Sequence, residues 1–258
     1  VGATGVLTVT SDPPASVRRR VCLLGGFDIS VDGAAMIVPA TAQRLVALLA
    51  LRGRCGRSRV AGSLWPETPE IRALANLRTA IWRANRVCAG LVVAGPDALA
   101  LAEDVDVDVT HLVHEAHQVL AGAARTTGEP TATYADADLL PDWHDEWLLD
   151  DRERLRQLRL HVLETLAEHL TVEGRFAWAL EAALAALRAD PLRESAHRAV
   201  IRVHLAEGNL AEAVRAYRHC SSVLSRDLGA APTPATSALI SRVAAPGGVA
   251  QRRRSTPG

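Results

Sequence analysis

Lysine is absent from this chain, and all twenty-nine of its basic residues are arginine. With abundant alanine, that composition marks a very GC-rich genome and says nothing of mechanism. Cysteine is scarce: Cys22, Cys55, Cys88 and Cys220 are scattered, with no CxxC pair. A zinc site and a disulfide framework are both excluded as organising principles. No apolar run approaches the roughly 20 residues that a membrane-spanning helix needs. The start, "VGATGVLTVTSDPPASVRRR", has no apolar core of a signal peptide, so residues 1–20 read as a flexible tail of a cytoplasmic protein. A glycine-rich phosphate loop, a Walker motif and a nucleophile elbow are missing too, so the chain is not expected to be an enzyme, and it implies no cofactor.

What is present is a division of charge. Nearly half of the 258 residues are hydrophobic and the formal net charge is zero, as in a globular protein large enough for two domains. Yet Thr41–Arg86 holds nine arginines against Glu67 and Glu70, whereas Val87–Arg242 holds fourteen arginines against twenty-four acids. The first span carries +7 and the second −10, which points to an anionic partner for the first, nucleic acid before any other. A solvated charged face is the alternative at this level.

The order of elements narrows the choice. "VCLLGGFDISVDGAAMIVP" alternates apolar and polar residues around Gly25-Gly26 and Asp32-Gly33, as short antiparallel strands do. "TAQRLVALLALRG" follows with helical spacing, Thr41 standing as N-cap and Gly53 as the stop. "SRVAGSLWP" reads as a shorter helix capped by Ser58 and ended by Pro66, and a third helix begins near Pro69. "LVVAGPDALAL" then gives a hairpin about Gly95-Pro96-Asp97. Strands, three helices and a terminal hairpin make a winged helix-turn-helix of the OmpR type.

The third helix carries the chemistry. At about 100° per residue, Ala73, Leu74, Leu77, Ala80, Ile81 and Ala84 of "WPETPEIRALANLRTAIWRANR" form a core stripe. Arg72, Asn76, Thr79, Arg83 and Arg86 fall opposite, with no acid among them. A recognition helix in the major groove uses these residue types: arginine on guanine O6 and N7, asparagine on adenine, a threonine methyl on thymine. These five are the candidate base contacts. Arg57 and Arg59, at the start of the preceding helix, and Arg78 are the candidate phosphate contacts, which set register without reading sequence. His111, His114 and His117 are spaced by three and drift around a helix without a fourth ligand, so no metal is expected. Trp143, Trp147 and Trp178 read as gap fillers between helices.

The second half is all-helical. "EGRFAWALEAALAALRADP" and "EGNLAEAVRAYRHCSSVLS" align at an offset of 34, Glu173 on Glu207, Gly174 on Gly208, Ala177 on Ala211 and Ala179 on Ala213. That is the tetratricopeptide period, a helix pair joined by a tight glycine turn. "DEWLLDDRERLRQLRLHVLETLAEHLTVEG" supplies a long amphipathic helix before it, and residues 244–258 read as a disordered tail.

Trp65-Pro66 ahead of "NLRTAIWRANR", with "LLPDWHDEWLLDDRERLRQLRLHVLE", "RADPLRESAHRAVIRVHLAEGNLAEAVRAYRHC" and "DLGAAPTPAT", resembles the SARP family of actinobacterial transcriptional activators. The likeness runs from Val21 to Val243. It implies a winged helix over 21–104 and a TPR-like bacterial transcriptional activator domain over 105–243. It further implies promoter DNA as partner, read as direct repeats near the −35 element by two protomers side by side. Recruitment of RNA polymerase holoenzyme, through its sigma factor region, would then fall to the loop Trp65, Pro66, Glu67, Thr68 and Pro69. A nucleoid-associated regulator of secondary metabolism is the expected role. Members of that family often carry an arginine in the wing; here the wing reads "AGPDALAL", with Asp97 and no arginine. A TPR-type adaptor and a ligand-sensing regulator, with a pocket between the C-terminal helices, remain the alternatives.

Overall fold

Asp32 and Gly33 sit at positive φ in a two-residue turn, and that turn returns the chain onto itself at the start of the fold. Strand β1 (Arg19–Cys22) pairs antiparallel with β2 (Asp28–Val31), and β2 with β3 (Ala34–Ala35). The structure, a computed structural model, describes residues 17–122 and 138–244. The expected tails lie largely outside those residues, but Arg19 and Arg20, read as tail, belong to β1 because their backbones are paired across to Val31 and Ser30.

Three helices follow: α1 (Ala40–Arg52), α2 (Arg57–Leu64) and α3 (Glu70–Val87). Gly53 ends α1 at φ 66 and donates its N–H to Leu49. The two N-caps read from the sequence are not used. α1 starts from Pro39, whose fixed φ of −61 suits the position and whose carbonyl accepts from Ala42 and Gln43, so Thr41 lies inside the first turn. α2 starts from Gly56, because the short strand β4 (Cys55–Gly56) leads straight into it, so Ser58 is likewise inside.

β5 (Val92–Ala94) and β6 (Ala98–Leu101) form the hairpin, and β4 pairs with β6 to give a second, three-stranded sheet. Leu45, Leu48 and Leu49 of α1, Val60 and Leu64 of α2, Leu77 and Ala80 of α3, and Leu91 and Leu99 around the hairpin are all buried in one core. Asn85 locks α3 to the hairpin, donating to the Val92 carbonyl and accepting from the Val92 N–H. One strand lies past residue 104, the boundary read from the sequence. β7 (Val105–Val107) pairs parallel with β1, completing a sheet in the order β3-β2-β1-β7. Asp108, opening α4 (Asp108–Leu120), accepts the N–H groups of Leu23 and Leu24.

The described chain divides into two compact units, the first running to Val109 and including Leu140–Asp142. The second is helical: a 3-10 turn at Glu146–Leu148, α5 (Leu149–Val172), α6 (Phe176–Ala189), α7 (Glu194–Glu207), α8 (Leu210–Leu228) and α9 (Pro234–Ala244). Its repeat is visible in the backbone. Gly174 and Gly208 have φ of 73 and 86, and each is followed by the same closing bond, Arg175 N–H to Leu170 and Asn209 N–H to His204. Left-handed glycine with that bond is the Schellman stop. Ala179, Ala182, Ala183 and Ala186 of α6 are fully buried, which lets neighbouring helices approach closely.

Ion pairing joins α5 to the start of α7. Arg193 donates two bonds to Glu164, at 2.7 and 3.0 Å, and a third to Gln157, while Ser195 also donates to Glu164. Burial alone would raise the Glu164 carboxyl, but the Arg193 and Ser195 hydrogen bonds outweigh it and hold it below the usual carboxylate range. Trp147, read as a gap filler, is half-buried and donates its indole N–H to Asp145.

Candidate nucleic-acid interface

α3 is an 18-residue helix that buries Ala73, Leu77, Ala80 and Ala84 and turns its other side outward. The face read from the sequence is there. Arg72, Asn76, Thr79, Arg83 and Arg86 are all exposed, as is Arg78 beside them. Their side chains are not equivalent, however. Arg72, Asn76 and Arg78 make no hydrogen bond or ion pair among the described residues, so their donors are open to a ligand. Thr79 donates its hydroxyl back to the Ala75 carbonyl at 3.2 Å, turning its methyl rather than its proton to other contacts. Arg83 donates to the Thr41 hydroxyl at 3.1 Å, which joins the middle of α3 to the first turn of α1. Arg86 stands over the Trp82 ring, 5.1 Å from its centroid.

Of the candidate phosphate contacts, Arg59 is exposed and without a partner among the described residues. Arg57 has a different job. Its Nε donates to the Gly95 and Pro96 carbonyls at 3.2 and 3.1 Å, and its Nη2 to Gly95 at 3.0 Å. Its backbone N–H donates to the next carbonyl, that of Asp97. Three consecutive carbonyls of the hairpin turn thus converge on one residue at the start of α2. The hairpin has no arginine of its own, yet a guanidinium lies against its turn, supplied from 38 residues away. Asp97 itself is exposed.

The loop between α2 and α3 is tight: Thr68 N–H returns to the Trp65 carbonyl, and Pro69 caps α3. Pro66, Glu67 and Pro69 are exposed, Trp65 and Thr68 half-buried. Two residues that the sequence reading passed over also stand out on α3: Ile71 and Trp82 are 83% and 58% exposed. Both lie at the edge of the arginine face, and the signal that would have found them is the same wheel that found the arginines. Both leave apolar area in water beside an open cationic face.

The helical unit brings in the decisive comparison. Residues 105–244 match the bacterial transcriptional activator domain. The chain belongs to that family. The resemblance to SARP activators stands with it, and so does the order winged helix, then TPR-like bacterial transcriptional activator domain. Regulatory protein AfsR of Streptomyces griseus is 28% identical over 224 residues, which cover 82% of this chain and 23% of that protein. Regulatory protein AfsR of Streptomyces coelicolor is 30% identical over 244 residues, covering 87% and 24%. The chain therefore spans about a quarter of the length of these relatives. Among solved structures, Mycobacterium tuberculosis EmbR in complex with low affinity phosphopeptide superposes with a TM-score of 0.70 at 20% identity, over 88% of this chain and 65% of that one. At that identity the likeness is one of fold. In this bacterial transcriptional activator domain protein, no helix among the described residues is long and apolar enough to cross a membrane.

Proposed function

We propose that this chain is a sequence-specific DNA-binding transcriptional activator whose helix α3 enters the major groove. The observation that carries the reading is the outer face of α3. Arg72, Asn76, Thr79, Arg83 and Arg86 are exposed there with no acid among them, on a winged helix joined to a bacterial transcriptional activator domain. Arg72 and Asn76, on the N-terminal half of the helix with open donors, read base edges. Arg59 and Arg78 meet phosphates. Two protomers lie side by side on direct repeats near a −35 element, and Trp65–Pro69 touches the sigma factor region of RNA polymerase. The regulated genes belong to secondary metabolism, and the protein works on the nucleoid in the cytoplasm.

Duplex binding across a salt series tests this. With about six phosphates neutralised, log affinity should fall against log salt with a slope of about −5. An adaptor whose winged helix binds protein would show no such slope. A ligand-sensing regulator is favoured by a different observation, a cavity of about 430 Å³ between α5 and α7 lined in part by His161, Glu168, Arg198 and Arg202. That reading adds an effector to the DNA-binding function and leaves the salt slope in place.

A further inference from the structure

Arg86 and Trp82 sit one turn apart on α3, and the guanidinium carbon stands 5.1 Å from the ring centroid. Trp82 is 58% exposed, so the indole is a platform on the helix surface and not a plug in the core. A cation held by a ring face spends none of its N–H donors on it. Arg86 differs in this from Arg83, which gives one donor to Thr41. Among the described residues no oxygen claims the Arg86 guanidinium or the Trp82 indole N–H, so both stay available.

The position of the pair decides what Arg86 meets. Arg86 is sixteen residues past Glu70, roughly 24 Å along the axis at about 1.5 Å per residue. A helix-turn-helix presents the N-terminal residues of its recognition helix to base edges, in a groove about 12 Å wide. The last turn of α3 has then left the bases and stands at the sugar–phosphate wall. We propose that Trp82 is a positioning residue that holds Arg86 extended as a phosphate clamp, so that Arg86 sets register and reads no base. This rests on the assignment of α3 as the DNA-binding helix and replaces the expectation of a base contact at Arg86. Its physical content is preorganisation: a long side chain already ordered on a ring loses less freedom when a phosphate arrives.

Two probes test it with the full chain: a mixed-sequence duplex, and a duplex selected by the protein from a random pool. Arg86→Ala should weaken both by the same factor, about tenfold, and reduce the salt slope by about 1. Trp82→Ala should weaken both about fivefold, and Trp82→Phe, which keeps a ring face, should recover most of that. In the Arg86→Ala background, Trp82→Ala should change nothing further. Loss confined to the selected duplex in Arg86→Ala would make Arg86 a base reader and overturn the proposal. Additive losses in the double variant would place Trp82 itself on DNA, and an unaffected Trp82→Ala would deny any positioning; either result overturns it. A chain with no salt-dependent duplex binding would instead sink the DNA-binding reading, a result distinct from salt-dependent binding indifferent to Trp82.

Discussion

Arginine does more than one job within the first unit, and partners decide which. Among the described residues Arg72 has no hydrogen-bond or ion-pair partner, which leaves its bidentate fork open for the proposed contact to a guanine edge. Arg72→Ala should cost about 1–3 kcal/mol on the selected duplex and relax preference at one or two base pairs. Competition titrations against single-base variants read this directly, and an equal loss on every sequence would reassign Arg72 to a phosphate. Arg57, by contrast, is consumed by the Gly95 and Pro96 carbonyls of the hairpin turn. Removing it leaves those carbonyls to water and unties the turn from α2. Arg57→Ala should lower stability by about 1–2 kcal/mol, since the bonds are charge-assisted but the side chain is only half-buried. The Gly95 amide, bonded to the Ala98 carbonyl, should exchange faster at the same time. Unchanged exchange in Arg57→Ala would show that the hairpin holds itself.

At the scale of elements, the helical unit depends on its glycine turns. Gly208 closes α7 in the left-handed conformation at φ 86, and a Cβ added there meets no atom within 4 Å. The penalty for a side chain is therefore backbone strain and not collision. Gly208→Val should destabilise by about 1–3 kcal/mol, because a β-branched residue is the least tolerant of positive φ. Gly208→Asn should cost much less, since asparagine visits that region readily. Urea melts of the three proteins should rank glycine, asparagine, valine. A valine variant as stable as asparagine would mean that α7 and α8 re-form their turn another way.

For the whole molecule, acid is the stress that buried His197 and two half-buried carboxylates make predictable. Burial holds His197 below its ordinary value of 6.5, with the His219 ring 5.8 Å away adding to the shift, while its Nε2 lies 2.9 Å from the Pro191 carbonyl. Glu164 and Glu194 are both held below their ordinary 4.5: burial opposes the shift, but hydrogen bonds from Arg193 and Ser195 at Glu164, and from Thr233 and Thr236 at Glu194, exceed it. All three groups take up protons at higher pH when unfolded than when folded, so each contributes stability that rises with pH. The His197 contribution is complete above about pH 6.5 and is lost as pH falls through its lower folded value. The two glutamates follow below about pH 4.5. Calorimetry from neutrality downward should show a first decline near pH 6 that is absent in His197→Gln, then a steeper one. A flat profile from pH 7 to 5 would contradict the burial of His197.

The sequence by itself determined what local chemistry governs. Asp32-Gly33 and Gly53 end their elements because glycine and aspartate accept positive φ there, and the 34-residue register of Gly174 and Gly208 reappears as two identical helix stops. The arginine face of α3 was legible because a single helix sets its own periodicity. The Trp82–Arg86 pair, four residues apart, is likewise legible in the sequence, because that spacing puts both on one side of the same helix. Tertiary structure alone decided the rest. Thr41 and Ser58 have the chemistry of caps, but Pro39 and a strand ending at Gly56 start the helices two residues earlier. β7 is three residues long and is a strand only because β1 lies beside it. Arg57 and Arg83 both read as DNA contacts along the chain, one to phosphate and one to a base; contacts across 38 and 42 residues set one to brace the hairpin and the other to join α1. Local propensity places an element, whereas the allegiance of a long, charged side chain is settled by whichever acceptor the fold brings within 3 Å or so of it.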